Sequence, residues 1–115
     1  MSAPSQAVSA PSAVYRVDKF TVPAAARDEF LDRVSATHAL LRQQAGFLGD
    51  VILEQASGPG AFNFVTMVEW EGMEAIARAG KAVARMHSDI GFDRHEMMDR
   101  LGITADIANY RPVSV

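Results

Sequence analysis

The stretch "AFNFVTMVEW", residues 61–70, carries apolar side chains at both parities: Phe62, Phe64, Val68 and Trp70 on one, Val65 and Met67 on the other. Successive side chains of a strand point to opposite faces, so a strand apolar at both parities is expected to be buried on both. Just before it "SGPG" (57–60) turns the chain, and "DVILEQA" (50–56) reads as the preceding strand of a hairpin. Upstream, "AVYRVDKFTV" (13–22) is rich in aromatic and β-branched residues and reads as a first strand. Pro23 follows, at home in the first turn of a helix. In "AAARDEFLDRVSATHALLRQQ" (24–44), Phe30, Val34, His38 and Leu41 recur at helical spacing with Leu31 beside them. Arg27, Asp28, Asp32 and Arg33 fall mostly elsewhere on the wheel, and Gly46 is a natural helix stop.

Downstream, Met73, Ile76, Ala77, Gly80, Val83, Ala84 and His87 follow the i, i+3, i+4, i+7 pattern of a second amphipathic helix. Gly91 interrupts it, "FDRHEMMDRL" (92–101) predicts a short further helix ended by Gly102, and "ITADIANYRPV" (103–113) predicts a fourth strand. Pro112 is tolerable there only near the strand end or at a sheet edge. The order β-α-β-β-α-β is the ferredoxin-like split unit, an α+β fold with a four-stranded antiparallel sheet and two main helices on one face. Two helices cover one face only, whereas residues 61–70 ask for cover on both. The simplest cover is the same face of a second copy, so a homodimer joined sheet to sheet is expected.

The 115 residues fit one domain with one core. The opening, 1–12, is Ser/Ala/Pro-rich and reads as a flexible tail without the basic and apolar regions of a signal peptide, leaving 13–115 as the domain. A net charge of −3 gives no electrostatic reason to expect nucleic acid. No apolar run approaches the roughly 20 residues that cross a bilayer, so no membrane partner is expected. Cysteine is absent, which rules out disulfides, a thiol nucleophile and thiolate metal ligands, and fits a cytoplasmic protein.

Three places resemble the antibiotic biosynthesis monooxygenase family of dimeric α+β barrels: "KFTVPAAARDEFL", "LLRQQAGFLGDVILEQ" and "FNFVTMVEWEGMEAIARA". They look like the first strand entering its helix, the helix end with its Gly-Phe loop and second strand, and the third strand entering the second helix at a Trp. The resemblance spans about residues 14–113. It implies a dimeric barrel, a ligand cleft between helices and sheet, and one of several activities. These are cofactor-independent oxygenation of quinols or polyketide aromatics, haem degradation, or no known activity. Fold alone does not choose among them.

Of the residues able to do chemistry, "HEMMD" (95–99) comes one letter short of the zinc-protease pattern, with Asp99 where the second His belongs, and is expected to be solvated helix surface without a metal. His87 ends the apolar stripe of the second helix and is the expected catalytic base; Trp70, His38 and Phe64 are the expected substrate contacts. The competing reading of each is packing, since a His on an apolar helix face commonly bonds a backbone carbonyl and a Trp at a strand end commonly fills space. Asn63 and Asn109 could orient a ligand, or face solvent or an edge.

The expectation is a homodimeric, cofactor-independent monooxygenase of an aromatic or quinol-type substrate. The alternative is a non-catalytic dimeric module that binds a small apolar ligand or a partner. Haem is not expected. The resemblance implies an Asn on the first strand and a Trp within the second helix of haem degraders; "AVYRVDKFTV" holds no Asn and the region around Arg78 reads "AIARAG".

Overall fold

A computed structural model describes residues 13–115, and the expected tail, 1–12, lies outside the described residues. Strands β1 (Val14–Thr21), β2 (Phe47–Glu54), β3 (Phe64–Trp70) and β4 (Thr104–Tyr110) form one sheet in the order β2-β3-β1-β4, every neighbouring pair antiparallel. Helix α1 (Arg27–Leu41) follows a short 3-10 turn at Ala24–Ala26. Helices α2 (Met73–Ile90) and α3 (Arg94–Leu101) lie between β3 and β4. This is the ferredoxin-like α+β order with one extra short helix, and the sheet is open at both edges.

Element boundaries shift where local bonds decide them. β2 starts at Phe47, ahead of Asp50, because Gly46 turns the chain sharply enough to bring Phe47 opposite Trp70. Gly46 has φ +89, and a Cβ there would lie 2.5 Å from the Ala75 Cβ, so its loop can press against α2 only without a side chain. β3 starts at Phe64, not Ala61. Asn63 is occupied instead in clasping Val22: its side chain accepts from the Val22 N–H and donates to the Val22 carbonyl, both at 2.8 Å. It is a structural clamp on β1, which answers the question its place in the sequence posed. Gly91, left-handed at φ +68, ends α2, and Asp93 caps α3 by accepting from the Glu96 N–H.

Even-numbered residues of β1 and β3 face the helices. Phe64, Thr66, Val68 and Trp70 are buried, while Val65 and Met67 on the other face are only half-buried. One chain therefore covers one face of the sheet. The uncovered face presents Val51 (41% exposed), Leu53 (46%) and Tyr110 (44%) beside Val65 and Met67. On the covered face the core is divided. One cluster gathers Phe20, Val22, Ala26, Phe30, Phe64, Met97 and Ile103, with Phe30 in ring contact with Phe20 (4.9 Å) and Phe64 (5.1 Å). The other gathers Val14, Val68, Trp70, Ala75 and Ala79, with Phe47 packed edge-on to Trp70 at 5.7 Å. Among the described residues no helix is long and apolar enough to cross a membrane.

A candidate active-site cleft

Between the two clusters a cleft of about 320 Å³ opens, floored by β1 and β3 and roofed by α1, α2 and α3. Its α2 wall is Ile76, Ala79, Gly80, Val83 and His87. The α2 stripe expected from the sequence is thus only partly the inner face: Met73, Ala77 and Ala84 are exposed, and Ala75 and Ala79 make the buried contact with the sheet. Gly80 sits mid-helix, where glycine weakens a helix, yet a Cβ there would meet nothing within 4 Å. Small residues here leave space as well as allowing close approach. A second, broader depression of about 560 Å³ on the outer side of the helices carries Lys81, Arg85 and Asp89 but none of the histidines.

His87, His38 and Trp70 all line the cleft; Phe64 does not. Phe64 lies in the core against Phe30, because its position at the start of β3 puts it under α1 rather than in the gap between clusters. Trp70 is 2% exposed and closes the opposite end of the same strand face.

His38 is buried, and its partner is a carboxylate rather than a backbone carbonyl: Nδ1 lies 2.8 Å from Asp50 Oδ2. Asp50 also accepts from Arg42, Nη2 to Oδ2 at 2.8 Å. Burial pushes the Asp50 carboxyl pKa up, but the bonds from Arg42 and His38 outweigh it and hold the pKa below the usual carboxylate range. An ionised Asp50 makes Nδ1 the protonated, donating nitrogen of His38 and leaves Nε2 for other work.

His87 makes an edge contact with Phe92, ring centroids 4.8 Å apart. Desolvation first, and then the charges of Arg33 and Arg94, push its pKa below the ordinary histidine value, so its neutral form prevails at pH 7.

Six polar lining residues escaped the sequence reading: Arg16, Asp18, Arg33, Thr37, Thr66 and Arg94. Arg16 and Asp18 lie on the helix-facing side of β1 and pair with each other, Nε to Oδ1 at 2.6 Å. Their parity with Val14 and Phe20 was the available signal: charges at the buried parity of a strand need a reason. Arg33 and Thr37 line the cleft from α1, one position beside the Val34 and His38 stripe, although on the helical wheel Arg33 falls away from that stripe. His95, by contrast, is exposed, and Glu96 beside it pairs with Arg100 one helical turn on. No group of three or more His, Asp or Glu that could hold a metal occurs among the described residues.

An open four-stranded antiparallel sheet under two long helices, with a cleft bearing two histidines and a Trp between the layers, defines a ferredoxin-like α+β class of domain. Within that class the chain belongs to the antibiotic biosynthesis monooxygenase family, whose model matches residues 13–86. No curated protein sequence matches it.

Among solved structures, a protein of Shewanella loihica PV-4 assigned provisionally as a monooxygenase is 17% identical (TM-score 0.69, 90% of this chain and 97% of that one covered). SnoaB, a cofactor-independent oxygenase from Streptomyces nogalater, is 21% identical (TM-score 0.68, coverage 90% and 96%). The heme-degrader MhuD of Mycobacterium tuberculosis is also 21% identical (TM-score 0.65, coverage 89% and 97%). At such identities the likeness is one of fold.

Proposed function

We propose that the chain is a homodimeric, cofactor-independent monooxygenase of a flat aromatic or quinol-type substrate bound in this cleft. The observation that carries the reading is the opening of His87, His38 and Trp70 onto one mainly apolar cavity of about 320 Å³. That volume is at the small end of the roughly 300–1,000 Å³ typical of ligand pockets, which suits a few fused rings rather than a porphyrin.

His87, kept neutral, accepts the proton that activates the substrate. Trp70 forms a wall, and His38, its tautomer fixed by Asp50, holds a substrate oxygen through Nε2. The resulting anion supplies the electrons that dioxygen needs. A C–O bond forms to give a substrate hydroperoxide. Loss of water then leaves a carbonyl, so that one oxygen atom enters the product and the other departs as water. The apolar walls keep solvent from quenching the anion.

The apolar outer face, with Val51, Leu53, Val65, Met67 and Tyr110, supports the pairing of two copies sheet to sheet. Oxygen uptake with a panel of hydroquinones and anthrones, using protein stripped of flavin, haem and metals, tests the activity. His87→Ala should slow it by about 10²–10⁴-fold with little loss of stability. Ligand binding without oxygen uptake by the wild type would refute the enzyme reading and leave a binding module.

A further inference from the structure

The cleft is positively charged in an acidic protein. Three arginines, Arg16, Arg33 and Arg94, line it against one carboxylate, Asp18, a net +2 from these four groups, while the whole chain carries −3. Asp18 is taken by Arg16 at 2.6 Å. Arg33 and Arg94 have no ion-pair partner among the described residues, whereas Arg27, Arg42 and Arg100 each hold a carboxylate.

Arg33 is not simply a solvated surface residue. Its Nε is buried and makes no hydrogen bond, which costs desolvation without return. Its guanidinium lies over the Phe92 ring, 4.5 Å from the centroid, and the same ring touches His87 edge-on. Stacking fixes the plane of the guanidinium and leaves its in-plane N–H donors for an acceptor. The field of Arg33 and Arg94 reaches His87 strongly enough to oppose its protonation. Two unpaired cations held close to a titratable base, one with a dry unused donor, are a site lacking its counter-charge.

We propose that Arg33 and Arg94 form an anion-binding end of the cleft, and that the substrate is an aromatic or quinol-type molecule bearing a permanent carboxylate on or beside the ring. The proposal rests on the reading of the cleft as the substrate site. A carboxylate matches the planar donor fork of arginine in two-point contact and restores the missing hydrogen bond. It also fixes the direction in which the ring enters: charged end toward Arg33, Arg94 and Phe92, apolar end toward Trp70.

The test is calorimetric titration of the full chain with two probes that differ in one charge, 2,5-dihydroxybenzoate and its methyl ester. The wild type should bind the acid about tenfold more tightly than the ester, equivalent to about 1.4 kcal/mol. In the Arg33→Gln/Arg94→Gln double variant the ratio should fall to about one with the ester's affinity unchanged, and Arg33→Lys should retain only part of the preference. Equal affinities in the wild type, a preference that survives in the double variant, or no heat from either probe would each overturn the proposal. Acid preference without oxygen uptake would support the anion end while refuting the monooxygenase reading, so the two fail separately.

Discussion

Replacing Asp50 with Asn removes one charge from a nearly closed network and changes its shape very little. The Asp50 side chain is 11% exposed and faces two partners of different quality, the buried His38 and the exposed Arg42. The His38 bond, 2.8 Å with His38 buried and Asp50 partly buried, is a hydrogen bond to a charged group, worth about 1.5–3 kcal/mol. The Arg42 pair has one side 52% exposed, so solvent screens it and the His38 bond dominates. Asn retains a weaker acceptor and is cheaper to desolvate, so the net loss should be about 2 kcal/mol. For a domain of this size that lowers Tm by roughly 10 °C.

The pH dependence follows from the depressed pKa of Asp50. A carboxylate whose folded pKa lies below its unfolded value, near ~3.9, stabilises fully above that value and loses the contribution as pH falls through the folded pKa. Urea unfolding of wild type and Asp50→Asn, followed by Trp70 fluorescence and circular dichroism, should show the full gap at pH 7 and pH 5 and a shrinking one at pH 3. A gap below about 0.5 kcal/mol at pH 7 would mean that the network is ornamental, since surface substitutions commonly fall in that range. A gap undiminished at pH 3 would mean that charge is not its source.

Gly80→Ala should raise stability by about 0.5–1 kcal/mol in urea titrations, since the helix gains propensity and the Cβ meets nothing within 4 Å. Gly80→Leu should instead weaken binding of any cleft ligand by filling its space. The ring-proton NMR titration of His87 should have its midpoint below ~6.5. Arg33→Gln should move that midpoint upward, and an unmoved midpoint would deny the electrostatic contact. Because the folded pKa of His87 is depressed, its neutral form favours the fold above the unfolded pKa, and that advantage is lost as pH falls below ~6.5 toward the folded value. Oxygen uptake that depends on His87 as base should fall on the acid side of the same midpoint. Met67→Glu, on the uncovered sheet face, should halve the mass seen in sedimentation at micromolar protein if two copies pair there. A wild type that sediments as a monomer would refute the pairing.

The fold could be read from the sequence because its signals are one-dimensional. Phe30, Val34, His38 and Leu41 repeat at helical spacing, and residues 50–56 and 61–70 are two β-type runs parted by the Gly/Pro turn 57–60, so each element declares itself locally. The site was less legible because its decisive contacts join elements. Asp50 read only as the first residue of a strand; its bond to His38 depends on how β2 slides along β3, which Gly46 and the irregular register between Phe47 and Gly49 set. Arg33 read as lying off the apolar stripe because a helical wheel does not know that Phe92, from the turn after α2, will lie beneath it. Arg16 and Asp18 could have been found: on β1 they share parity with Val14 and Phe20. A strict test of strand parity would have placed two charges toward the helices.

The division of the core into two clusters with the cleft between them has a thermodynamic consequence. An apolar molecule lodged there touches both halves and becomes, for as long as it stays, a detachable piece of the protein interior. Its binding free energy adds to the folding free energy, about 2.7 kcal/mol at a hundred times its dissociation constant. Heat can then identify ligands without knowledge of the reaction. Compounds that fit will raise the melting temperature by many degrees, and the ranking of those shifts becomes a portrait of the missing piece.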